Sequence, residues 1–72
     1  MSTFHERLKE IRKQRKFTQK QVAVGISVTE AQYQKYEYGY NKPAYDIIIK
    51  LCNCFNVSSD YLLGLSDDPT RH

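Results

Sequence analysis

The sequence predicts an all-α domain of five helices, and three observations predict it. Apolar residues recur at three- and four-residue spacing, the repeat of one buried helix face. A Ser or Thr stands immediately before four of these stretches, where its oxygen can accept from the free N–H groups of a first turn. No stretch of any length alternates apolar and polar residues with the period of a strand. The 72 residues fit one domain, expected over residues 1–65, with a polar tail at 66–72 expected to fray.

The first helix opens at Ser2 or Thr3. Thr3 stands three residues before Glu6, the spacing of a capping box. Phe4, Leu8 and Ile11 then form one apolar stripe, which fades near Arg15 and Lys16. Thr18 and Gln21 repeat the box and open a short second helix with Val22 and Ala23 inward. Gly25 weakens its end.

Thr29 caps a third helix through Glu37, with Tyr33 and Tyr36 as its buried edge and Gly39 as a left-handed stop. A loop, Tyr40 to Pro43, leads to a fourth helix from about Ala44 to Phe55. Tyr45, Ile48, Cys52 and Phe55 fall on its core face, and Asn56 can end it. Ser58 opens the last helix, Ser59 to Leu63, which Gly64 stops.

Composition excludes much. Apolar runs such as Ile47 to Ile49 are far short of the roughly 20 residues that span a bilayer. The first residues lack the pattern of a secretory signal, so a cytoplasmic location is expected. Cys52 and Cys54 point about 160° apart on a helix and suit reduced thiols. His5 and His72 lie too far away in sequence to complete a metal site, and no cofactor is implied. The chain offers no Cys–His or Ser–His–Asp set away from its ends, no glycine-rich phosphate loop, and Asp67–Asp68 lies in the tail. An enzyme is excluded.

Charge is uneven. Residues 1–20 carry seven Lys or Arg against Glu6 and Glu10, while the rest carry four basic residues against six acidic ones. That distribution suits either one positive face meeting a polyanion or a solvated helix face.

Two short helices joined by a tight turn make a helix-turn-helix. The fragments Arg7-Leu8-Lys9-Glu10-Ile11-Arg12, Phe17-Thr18-Gln19, Val22-Ala23 and Val28-Thr29 stand in a telling order. Tyr36-Glu37-x-Gly39, Pro43 and Phe55-Asn56-Val57-Ser58-x-Asp60-Tyr61-Leu62-Leu63-Gly64 complete it. Over residues 4–64 the chain resembles the DNA-binding domains of the phage repressor and Cro-like helix-turn-helix family. The resemblance implies a five-helix, lambda-repressor-like fold and a sequence-specific transcriptional regulator, a repressor by type.

The resemblance places the third helix in the major groove, with Glu30, Ala31, Gln34 and Lys35 toward base edges. Gln19, Thr29, Tyr38, Tyr40, Asn41 and Lys42 would hold phosphates. Each of these also suits an ordinary exposed helix face or cap. Arg12 and Glu37 match a family pair that bridges the first and third helices. A homodimer on a palindromic operator would follow, its half-sites roughly 34 Å apart, with Leu62, Leu63 and Leu65 as contact candidates, all three also suited to the core and Leu62 better suited to it. No small-molecule effector is implied.

Four residues depart from the family pattern. Ser27 and Lys16 stand where glycine is usual, Gly25 lies inside the second helix, and Glu30 brings a negative charge to a leading contact position. Glu30 and the six tyrosines also suit a second reading, a protein-binding module on the same fold such as an antitoxin or an antirepressor partner. Steep salt dependence would mark DNA binding; an aromatic protein interface would lack it.

Overall fold

The capping residues set the elements. A computed structural model describes residues 3–66, 68 and 70, and among them are five α-helices and no strand. They are α1 (Phe4–Gln14), α2 (Gln19–Gly25), α3 (Glu30–Tyr38), α4 (Tyr45–Phe55) and α5 (Ser59–Leu62). Thr3 with Glu6, and Thr18 with Gln21, form reciprocal capping boxes. Thr29 Oγ1 accepts from Gln32 N–H at 3.1 Å, and Ser58 Oγ from Tyr61 N–H at 3.1 Å. α3 extends one residue past the expected Glu37, and α5 stops one short of Leu63.

One device ends all five helices. A residue with positive φ follows each: Lys16 (61°), Ser27 (63°), Gly39 (83°), Asn56 (56°) and Gly64 (84°). The N–H of the next residue then reaches back to a carbonyl five positions earlier, as in Phe17 to Arg12 and Val28 to Ala23, at 3.1 and 3.0 Å. Tyr40, Val57 and Leu65 do the same toward Lys35, Cys52 and Asp60. The returning Phe17, Val28 and Val57 are apolar and pack into or against the core. Lys16 and Ser27 thus keep the left-handed geometry that glycine adopts without strain, and carry its cost with a side chain.

The core gathers Leu8 and Ile11 from α1, Val22, Ala23 and Ile26 from α2 and its end, and Tyr33 and Tyr36 from α3. Leu51, Cys52 and Phe55 of α4, then Val57, Tyr61 and Leu62, close it. α2 packs on α3, α1 on α3 and α5, and α4 on α2 and α5. Leu62 is fully buried, whereas Leu63 and Leu65 are exposed.

Tyr45 corrects the expected α4 face. It is 78% exposed, and Leu51 takes the core position in its place. Ile48, Leu51, Cys52 and Phe55 already hold the contact face, so Tyr45, one turn earlier, falls beyond the edge of the core. Gly25 is the last residue of α2, and Cys54 Sγ lies 3.5 Å from where its Cβ would stand. Cys52 and Cys54 are free thiols, and burial pushes the Cys54 thiol up. Of the tail, Asp67, Pro69, Arg71 and His72 lie outside the described residues, as does the alternative start at Ser2.

Candidate nucleic-acid interface

Which face α3 leaves open is decided by what it buries. Tyr33, Tyr36 and Glu37 are turned inward. Ala31, Lys35 and Tyr38 are exposed along the opposite side, and Glu30 is exposed at the leading end of the helix. Gln34 lies between, half-buried, and its Nε2 donates to Gln19 Oε1 at 3.2 Å.

The flanking candidates surround that face. Thr29 caps the start of α3, and Gln19 opens the neighbouring α2. Past Gly39, Tyr40, Asn41 and Lys42 are all exposed. The Tyr40 and Asn41 N–H groups both return to the Lys35 carbonyl, at 3.0 and 3.3 Å, which holds this loop against the end of α3. The Tyr38 and Tyr40 rings meet edge to face at 6.2 Å.

One ion pair fixes the underside. Arg12 Nε donates to Glu37 Oε2 at 2.8 Å and Nη2 to Oε1 at 3.0 Å, a two-pronged contact between α1 and α3. The third prong, Nη1, donates to the Phe17 carbonyl at 2.9 Å, just before α2. Burial alone would raise the Glu37 carboxyl pKa, and the Arg12 hydrogen bonds and charge hold it below the ordinary carboxylate value. Its side chain is wholly buried. Burial, with the Glu37 charge, pushes the Tyr33 phenol well above its ordinary range.

Two tethers were not foreseen from the sequence, where their owners count only toward the basic N-terminal third. Arg15 Nε donates to the Phe55 carbonyl at 2.9 Å, at the electronegative end of α4. Arg7 is buried and turned to the C-terminal end of the domain. Position in the helical repeat could have signalled Arg7, which lies beside Leu8 and one turn ahead of Ile11.

The two-helix unit of α2 and α3, with its turn at Ile26 to Thr29, matches a known pattern across the chain. A family model described as helix-turn-helix matches residues 8–62. The chain belongs to the helix-turn-helix family. The "uncharacterized HTH-type transcriptional regulator YobD" of Bacillus subtilis is 41% identical over 64 residues, 89% of this chain and 57% of that protein. The HTH-type transcriptional regulator ImmR of the same species is 42% identical over 59 residues, 82% of this chain and 46% of that protein. The chain spans about half the length of the curated relatives it matches.

The same architecture recurs in a repressor of solved structure. The P22 c2 repressor, crystallised in complex with a synthetic operator, superposes with a TM-score of 0.85 at 23% identity. The match covers 92% of this helix-turn-helix chain and 100% of that one. The fold is that of the phage-repressor DNA-binding domains. Among the described residues, no group of three or more His, Cys, Asp or Glu is placed to hold a metal ion. No described helix is long and apolar enough to cross a membrane.

Proposed function

We propose that this domain binds double-stranded DNA by sequence and serves a transcriptional regulator, a repressor by type. One observation carries the reading: α3 buries Tyr33, Tyr36 and Glu37, leaves Ala31 and Lys35 exposed on the opposite face and leaves Glu30 exposed at its leading end. A helix displayed in this way fits the major groove, where each base pair presents its own pattern. Lys35 donates to guanine O6 or N7, Ala31 packs on a thymine methyl, and Glu30 accepts from a cytosine amino group. Gln19, Thr29, Tyr38, Tyr40, Asn41 and Lys42 set register on the phosphates.

The shared fold with an operator-bound repressor and the regulator names of the relatives support this reading. No chemical step is involved; occupancy of the site is the activity. The domain acts in the cytoplasm as a homodimer on a palindrome, because one small module makes too few contacts for high affinity. Exposed Leu63 and Leu65 are the contact candidates for that dimer.

The experiment is selection of bound duplexes from a random pool, followed by titration of the winner at two salt concentrations. An enriched palindrome bound with steep salt dependence is the expected result. No enrichment, or binding indifferent to salt, overturns the reading.

A further inference from the structure

Four polar side chains from three helices form one line beneath the open face of α3. Arg12 of α1 holds Glu37 of α3 through two hydrogen bonds. Glu37 Oε1 also accepts from Gln19 Nε2 of α2, at 3.4 Å. Gln19 Oε1 accepts in turn from Gln34 Nε2, at 3.2 Å.

The direction of this line is dictated from its buried end. A carboxylate held by a guanidinium only accepts, so Gln19 must turn its NH2 end toward Glu37. Its carbonyl then faces Gln34, which supplies the donor that end requires. An amide nitrogen carries two hydrogens, and Glu37 uses one of them. Both amide ends of Gln19 are thereby oriented before any ligand arrives.

We infer that Gln34 is a positioning residue that acts through Gln19, orienting its amide so that the second N–H meets a backbone phosphate. Gln34 then sets the grip on the backbone and reads no base. The inference rests on the DNA-binding reading above.

The test uses the duplex selected with the parent chain, and a panel of that duplex changed at each half-site position. Affinity at two salt concentrations is measured for the parent, Gln34→Met, Gln19→Ala and the double variant, with a thermal melt of each. Gln34→Met keeps the length and helix preference of the side chain but removes its amide.

Gln34→Met should weaken every duplex of the panel by the same factor, about five- to tenfold. Base preference should not change, nor should the salt slope, since a neutral amide displaces no counterion. The double variant should bind no more weakly than Gln19→Ala. A loss confined to changes at one base position makes Gln34 a reader and overturns the inference. Multiplying losses in the double variant, or unchanged affinity in Gln34→Met, also overturn it. If the parent enriches no duplex, the DNA-binding reading falls first and this inference with it.

Discussion

The guanidinium of Arg7 lies over the Tyr61 ring, its central carbon 4.7 Å from the ring centroid. Its Nη1 donates to the carbonyls of Tyr61 and Ser66, at 3.3 and 3.0 Å. The first helix is thus tied to the point where the chain leaves the last one. A planar cation can stack and donate in its own plane at once, and an ammonium cannot reproduce that geometry.

Arg7→Ala should therefore destabilise the domain by about 2 kcal/mol, the scale of hydrogen bonds made by a charged group. Arg7→Lys should recover little of it. Urea unfolding midpoints of the three proteins check this, and full recovery by lysine would show that charge alone matters.

Arg12 and Glu37 should prove strongly coupled. Either residue replaced singly by Met should cost about 3 kcal/mol, because its partner's charge is left without its counterpart in a largely buried setting. The double replacement should cost clearly less than both losses together. A double-mutant cycle by denaturant unfolding measures the coupling, and simple additivity would refute it.

The same pair gives the domain an acid-labile component. The Glu37 carboxyl titrates below its ordinary value of 4.5 in the folded chain. Its contribution is therefore fully present above that value and is lost as pH falls through the lower folded one. Glu6 shifts in the same direction through its hydrogen bonds with Thr3. Unfolding followed from pH 6 down to pH 2, ranges set by the ordinary carboxylate value, should show stability falling, with a shallower fall in Glu37→Gln. Equal slopes in the two proteins would count against the assignment.

Ser27→Gly and Lys16→Gly should each raise stability by about 0.5–1 kcal/mol. Relief of a left-handed side chain, worth about 1–2 kcal/mol, exceeds the added freedom of the unfolded chain. Gly39→Ala should do the opposite, since its φ is 83° and an added Cβ would come within 2.9 Å of His5 Nδ1. Melting temperatures of the three variants read the signs directly.

Lys35→Ala should relax base preference at one half-site position and cost about 1–3 kcal/mol on the preferred site. Selection repeated with the variant checks this. An unchanged winner with unchanged affinity would misplace α3.

The boundaries of the helices were legible because each signal is local. Thr3, Thr18, Thr29 and Ser58 cap the turns that follow them, and Gly39, Asn56 and Gly64 turn the chain at the ends. Tyr45 was misplaced because periodicity gives an angle around the helix and says nothing of how far the core reaches along it. The burial of Arg7 was not legible because its type signals solvent, while its partners lie more than fifty residues away in the chain.

The sequence by itself determined five helices, their order and the two-helix unit that the family match covers. These follow from capping chemistry and spacing, which act within a turn or two. The tertiary structure alone decided that Lys16 and Ser27 hold glycine's geometry and that Arg7 and Arg15 tether distant carbonyls. It also bound Gln34 to Gln19, and Gln19 to Glu37. Those contacts join residues that only the packing of the five helices brings within hydrogen-bond reach, and no local preference encodes them.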